Sequence, residues 1–244
     1  MLDKPNSILI MCGGRGSRMG DMTSQLPKPL IEINGKTVLE HKLNNYIRQG
    51  FEDFVIAVGY KKNRIKDLIY SLDDDIKSKV SFSYAGKDVG ILERLYFASK
   101  KINSPLIVTY GDTIANVKLN ELLEFHNVSK NKATIVVTSI INPFGLVKFN
   151  SNNKVKVFEE KPALNYFIGY FMINPDYIRN LNIDIICMQD AKGLLSMFSD
   201  LISKEELGSY FYNGKNITFN TPYELEVAKQ DIINFYTSKE EECE

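Results

Sequence analysis

Gly13-Gly14-Arg15-Gly16-Ser17-Arg18 has the residue types needed to hold a phosphorylated ligand. Without a Cβ, Gly13, Gly14 and Gly16 let backbone N–H groups turn into a concavity and approach a ligand closely. Arg15 and Arg18 add forked guanidinium groups that match phosphate oxygens. A plain glycine turn after a strand would look similar, so the loop alone does not decide. It is neither the Walker pattern, which needs Gly-Lys-Ser/Thr, nor the dinucleotide fingerprint, whose helix follows at once. Pro27-Lys28-Pro29 tips the balance, because the two prolines fix the backbone around Lys28 and hold its ammonium near one place. Further on, Val108-Thr109-Tyr110-Gly111-Asp112 ends an apolar run on a carboxylate, the hard oxygen donor that magnesium prefers.

The positioning elements are legible around these residues. Ser7–Cys12 and Phe54–Val58 are short apolar runs, read as parallel strands buried on both faces. Val80–Tyr84 and Leu106–Tyr110 follow as strands, and helical spacing covers Thr37–Gln49, Lys61–Tyr70 and Gly90–Lys101. Gly50 fits the C′ position of the first helix. This alternation predicts an α/β fold with a doubly wound, mostly parallel, Rossmann-like sheet and ligands at the strands' carboxyl ends. Leu119–Val128 continues as helix and Thr134–Ser139 as strand. Gly145–Asn150 and Lys154–Phe158, joined by Ser151-Asn152-Asn153, read as a β-hairpin, followed by a strand at Ile168–Ile173. Helices are expected near Pro175–Leu181, at Ala191–Lys204 and at Pro222–Tyr236, the last with Thr221 as N-cap and Glu224 completing a capping box. No linker or repeat divides the chain. We therefore expect one domain over 1–244, with a nucleotide half (1–140), an acceptor half (141–237) bearing the hairpin and helical elaboration, and a frayed tail (238–244).

Thirty basic residues balance thirty acidic ones, so bulk charge suggests neither a nucleic-acid nor a membrane partner. No apolar run approaches the roughly 20 residues of a membrane span, and Pro5 falls where a signal peptide would be apolar, so a cytoplasmic location is expected. Cys12, Cys187 and Cys243 form no CxxC pair and suggest no zinc or disulfide framework. His41 and His126 lie in helical stretches and read as structural.

The glycine loop followed by Pro-Lys-Pro resembles the signature of the sugar-phosphate nucleotidyltransferases, and later blocks keep that family's order over about residues 7–230. The resemblance implies magnesium at Asp112, with Asn220 standing where most members carry a second aspartate. It implies Arg15 and Arg18 on the β- and γ-phosphates, Lys28 near the α-phosphate and Lys161 on the incoming phosphate. Met11, Cys12, Gly13, Gly14, Gly16, Ser17, Gly90 and Gly111 would complete the nucleotide site, with Glu93 or Arg94 as base contacts. Phe144, Gly145, Glu160, Phe167 and Gly169 fall on the acceptor side.

The run Thr109–Val117 looks most like the glucose-1-phosphate cytidylyltransferase branch and favours CTP, although Lys87–Arg94 departs from the family's threonine-glycine-glycine loop. Phe167, Ile168 and Gly169 stand where the family carries Asn-Gly-Gly. An apolar pair cannot hydrogen-bond a hexose, so the acceptor is expected to be an acyl, amino or amide phosphate. This looks like the phosphoglutamine cytidylyltransferases of capsule phosphoramidate synthesis, whose acceptor is L-glutamine phosphate. Phosphocholine is a rival acceptor, with Tyr166, Phe167 and Tyr170 as candidate aromatics. An inactive nucleotide sensor and a scaffold module stay open. Family members often form homo-oligomers.

Overall fold

The computed structural model describes residues 7–16 and 26–237. Ser17, Arg18 and the tail 238–244 lie outside the described residues. In chain order the elements begin with β1 (Ile8–Cys12), a 3-10 turn (Lys28–Leu30), β2 (Glu32–Ile33), β3 (Lys36–Thr37), α1 (Val38–Arg48) and β4 (Phe54–Val58). They continue with α2 (Lys62–Ser71), α3 (Asp74–Ser78), β5 (Val80–Tyr84), α4 (Ile91–Ser99), β6 (Leu106–Tyr110), β7 (Thr113–Ala115) and α5 (Leu119–Ser129). Then come β8 (Ala133–Ile141), β9 (Leu146–Phe149), β10 (Val155–Glu159), β11 (Ala163–Ile173), α6 (Pro175–Arg179) and α7 (Ile183–Ile186). The chain closes with α8 (Lys192–Ser203), β12 (Leu207–Phe211), β13 (Asn216–Thr218) and α9 (Pro222–Thr237).

One seven-stranded sheet, in the order β12-β8-β11-β6-β1-β4-β5, takes strands from both halves of the chain. β11 runs antiparallel to both its neighbours, and every other pairing is parallel. The fold is thus α/β with a mostly parallel central sheet.

The alternation of side chains along a strand explains why the central runs are apolar throughout. Ile8 and Ile10 of β1 enter a core with Leu39 and Tyr46 of α1 and Ile65 of α2. Leu9 enters the opposite core with Leu92 and Leu95 of α4 and Met197 of α8. α1 starts at a full capping box between Thr37 and Glu40, and Gly50 follows its end at φ +88°, as a C′ glycine does. In α9, Glu224 donates its backbone N–H to Thr221 Oγ1 at 3.2 Å, while its carboxylate accepts from Asn220 N at 2.5 Å. The expected capping box is therefore shifted by one residue on its return arm.

Two buried histidines take structural places. His41 Nε2 lies 2.7 Å from the Ile33 carbonyl, and His126 Nδ1 lies 2.8 Å from Thr134 Oγ1. Burial holds both imidazoles below their usual pKa. The unfolded chain takes up these protons as pH falls through about 6.5, whereas the folded state resists them. Stability should therefore fall on acidification below that point, by up to about 1.4 kcal/mol per pH unit for each histidine, and be regained as pH rises. Thermal melts between pH 7.5 and 5 check this: His126→Gln should flatten the dependence, and equal slopes in both proteins would reject it.

Candidate active site

The carboxyl ends of β1 and β6 open into a cavity of about 700 Å³. Met11, Cys12, Gly13, Gly14, Arg15 and Gly16 form one wall, with Lys28 and Asp112 beside them. The Lys87–Val89 loop, Gln189–Ala191, Pro29, Ile91, Arg94 and Tyr110 complete the lining. The glycines serve close packing as much as ligand access. A Cβ on Gly13 would stand 2.4 Å from Arg94 Nη1, and one on Gly111 would meet Cys12 Sγ, the Met11 carbonyl and Pro29, each at 2.9 Å. Gly111 N donates to Met11 O at 3.0 Å, which seats the Asp112 turn directly against β1. Gly14 faces open space, and Gly16 adopts φ +65°.

Lys28 is buried, with 7% of its surface exposed, and its 3-10 turn fixes where its side chain goes. Its Nζ donates to Asp112 Oδ2 at 3.3 Å, Asn220 Oδ1 at 3.1 Å and the Phe219 carbonyl at 3.0 Å. Three predicted site residues, distant in sequence, therefore converge at one point. The β7–β13 ladder makes this possible: Thr113 pairs with Thr218, drawing Asn220 alongside Asp112. Ile114, Ile217, Phe219 and Leu225 bury the ladder against Ile31 and Val38 in a third core.

A second buried ammonium supports the same turn from behind. Lys42, 2% exposed, donates to the Thr113 carbonyl at 2.5 Å and to Tyr170 Oη at 2.9 Å. Tyr46 Oη links Tyr170 to Thr109. No sequence motif marked Lys42, which sits in the apolar stripe of α1. Cys12 is no nucleophile, because burial pushes its thiol up to about 12. Burial and then the nearby Asp112 charge raise the Tyr110 hydroxyl to about 12 as well.

Arg15 lines the cavity, as expected of a phosphate contact, and has a carboxylate partner there. Its guanidinium pairs with Asp88 across the cavity mouth and lies 5.3 Å from the centroid of the Tyr60 ring. Arg94, a candidate base contact, lines the cavity and is also a buried clamp on the 86–89 loop. It donates to the carbonyls of Gly86 (3.1 Å), Lys87 (3.2 Å) and Val89 (3.0 Å). Gly90 lies buried under the Met188 carbonyl, which a Cβ would meet at 2.1 Å, and is not among the lining residues; nor is Glu93. Gly90 seats the Met188–Asp190 turn at the start of α4, with Ile91 N donating to Asp190 O at 2.9 Å.

On the acceptor side, Gly145 packs against Phe158 and Glu160, a Cβ there lying 3.0 Å from the Phe158 ring and 3.4 Å from Glu160 Oε2. The two sequence blocks thus meet. Phe144, Glu160 and Lys161 are exposed, Lys161 at φ +47°, and none lines the cavity. Gly169 takes φ +79° where the β11–β8 register shifts, and a Cβ would crowd the Tyr110 ring at 3.0 Å. Phe167 packs edge-on to Tyr110 (centroids 6.0 Å apart) and to Phe198 (6.1 Å), while Ile168 is buried. Tyr170 belongs to the core rather than to an open aromatic cage.

A sheet with a glycine-walled, cation-floored cavity at its carboxyl edge defines an α/β protein shaped for a phosphorylated ligand. The chain belongs to the Nucleotidyl transferase family, whose sequence pattern matches residues 7–242. It is 30% identical over 197 residues to a Bacillus subtilis protein named "Probable glucose-1-phosphate cytidylyltransferase", covering 70% of this chain and 76% of that one. It is also 30% identical over 210 residues to the mannose-1-phosphate guanyltransferase of Pichia angusta, covering 83% of this chain but only 57% of that protein. Among solved structures, HddC from Yersinia pseudotuberculosis, complexed with GMP-PN, superposes with a TM-score of 0.71 at 20% identity over 93% of this chain and 99% of that one. UDP-glucose pyrophosphorylase superposes with a TM-score of 0.68 at 15% identity over 94% and 99%. No helix among the described residues is long and apolar enough to cross a membrane.

Proposed function

We propose that the protein is a magnesium-dependent cytidylyltransferase that moves CMP from CTP to a phosphorylated small molecule, and that the acceptor is L-glutamine phosphate. The observation that carries the nucleotidyl-transfer reading is the convergence of Lys28, Asp112 and Asn220 at the cavity floor. An acceptor phosphate oxygen attacks the α-phosphorus, forming the new P–O bond. The bond to the β-phosphate oxygen breaks, and pyrophosphate leaves with its electron pair. The attacking phosphate is already anionic, so no general base is needed, and positioning with charge neutralisation supplies the catalysis. Lys28 neutralises charge near the α-phosphate, Arg15 exchanges Asp88 for phosphate oxygens, and Arg18 and Lys161 meet the terminal and incoming phosphates.

Asp112 and Asn220 together offer one carboxylate and one neutral carbonyl oxygen beside an ammonium. That donor set fits magnesium that arrives already bound to a triphosphate. Among the described residues no cluster of three or more His, Cys, Asp or Glu could hold a metal by itself. When bound, the ion would offset charge on the departing pyrophosphate.

The acceptor assignment is supported by Phe167 and Ile168, which are spent on packing and offer no hydrogen bond to a hexose. CTP and a sugar 1-phosphate form the second reading, favoured by the name of the Bacillus subtilis relative. Pyrophosphate release decides between them, measured with CTP, GTP, UTP and dTTP against L-glutamine phosphate, glucose 1-phosphate, mannose 1-phosphate and phosphocholine. We expect CTP with L-glutamine phosphate to exceed each sugar phosphate by at least about 10²-fold in kcat/KM, since mismatched buried polar groups cost that much. Faster turnover of a sugar phosphate would reject the acceptor. Tight CTP binding without turnover of any acceptor would identify a sensor.

A further inference from the structure

A second concavity, of about 650 Å³, adjoins the first at the carboxyl ends of β4 and β5. Its lining carries four cations, Lys61, Lys62, Arg64 and Lys87, against the single carboxylate of Asp67. Two tyrosine rings organise these charges. Lys62 Nζ lies 3.8 Å from the Tyr84 ring centroid, while Lys61, Lys87 and Arg15 surround Tyr60 at 5.2, 6.0 and 5.3 Å. None of the ion pairs among the described residues engages Lys62, Arg64 or Lys87. The first turn of α2 also lines this groove, and no side chain caps its N-terminus.

Asp67 offsets only part of the positive charge of Lys62, Arg64 and Lys87, and the surplus favours an anion in the groove. The groove is not a separate patch. Lys87 lines both concavities, and Gly59 of the second packs against the first, a Cβ there meeting Arg94 Nη1 at 2.0 Å and the Gly13 carbonyl at 2.6 Å. We propose that this groove is an anion subsite for a compact, multiply charged phosphate, pyrophosphate being its natural size and charge. Arg64 supplies a fork for paired phosphate oxygens, and Lys62 and Lys87 supply point charges on either side. A singly charged carboxylate would leave most of these cations unpaired. Arg15, paired with Asp88 in the first cavity, shares the Tyr60 ring with Lys61 and Lys87 of the groove. The inference names pyrophosphate on the strength of the proposed reaction, but its charge argument is independent of which nucleotide reacts.

The test is calorimetric titration of the full-length, nucleotide-free protein with sodium pyrophosphate, without magnesium, alongside the Lys62→Gln/Arg64→Gln double variant. Loss of two exposed phosphate contacts should weaken pyrophosphate about tenfold and leave CTP affinity within about twofold. Asp112→Asn, in the neighbouring cavity, should leave the groove's pyrophosphate affinity unchanged. Equal pyrophosphate affinity in wild type and double variant overturns the subsite. Parallel loss of CTP and pyrophosphate affinity also overturns it, by making the groove the terminal end of the triphosphate site. Matching melting temperatures guard against a folding defect, and the charge-reversed Lys62→Glu/Arg64→Glu variant should abolish the binding. Failure of every acceptor to turn over would sink the proposed reaction without touching these titrations.

Discussion

Replacing Asp112 with alanine should lower turnover at least about 10²-fold, the usual cost of deleting a central electrostatic group from a site built around developing charge. Asp112 is the carboxylate that meets Lys28 at the cavity floor, seated by the Gly111–Met11 hydrogen bond and held 3.3 Å from Lys28 Nζ. Without it, Lys28 keeps only the neutral oxygens of Asn220 and Phe219, which cannot balance a divalent cation. Asp112 is partly exposed but Lys28 is buried, so removing the carboxylate leaves a buried ammonium without its counter-charge and should lower the melting temperature as well. The loss in kcat is therefore measured well below the variant's own melting temperature. Steady-state kinetics over a magnesium titration check it. A variant with near-normal kcat at saturating magnesium would remove Asp112 from the mechanism. Asp112→Asn should fall almost as far, because the missing charge matters more than the missing oxygen.

The second large effect belongs to Arg94, which touches no predicted reacting atom. Arg94→Met keeps much of the side-chain length but strands the carbonyls of Gly86, Lys87 and Val89. Removing a charged donor from these part-buried carbonyls costs about 2 kcal/mol, which for a chain of this size lowers Tm by roughly 4–8 °C. The loop it releases carries Lys87, Asp88 and Val89 of the cavity wall. KM for the nucleotide should then rise about tenfold or more, with a smaller change in kcat, because positioning of the wall rather than charge at the reaction centre is lost. Differential scanning fluorimetry with steady-state kinetics separates the two consequences. Unchanged KM in a destabilised protein would confine Arg94 to folding.

Several elements were legible residue by residue. Phe54–Val58, Val80–Tyr84 and Leu106–Tyr110 form strands over the same residues as their apolar or alternating runs. In Phe54–Val58 and Leu106–Tyr110 local composition and burial agree, whereas in Val80–Tyr84 Ser83 is buried and Tyr84 exposed. β7, β12 and β13 escaped the sequence reading because they are short, and the segment Leu207–Phe211 carries glycine and serine at a sheet edge with only partial burial. β11 extends five residues earlier than expected, starting at Ala163, because its exposed first half is held by pairing with β8 rather than by its own pattern. Such pairings are long-range, and no local spacing encodes them.

What the amino-acid sequence determined alone was chemistry that depends on residue type and immediate neighbours. The glycine loop at Gly13–Gly16, a lysine stiffened by Pro27 and Pro29, and a carboxylate ending an apolar strand are local facts. Only the tertiary structure decided which of these groups meet. The β7–β13 ladder carries Asn220 to Asp112 and Lys28, the fold places Asp88 against Arg15, and the absence of a Cβ at Gly13 and Gly59 makes room for Arg94 to clamp the 86–89 loop beside the cavity. The division has one physical reason. A residue's donors and charge are fixed by its own atoms, whereas its partners are fixed by packing across the sheet, which compares all distant segments at once.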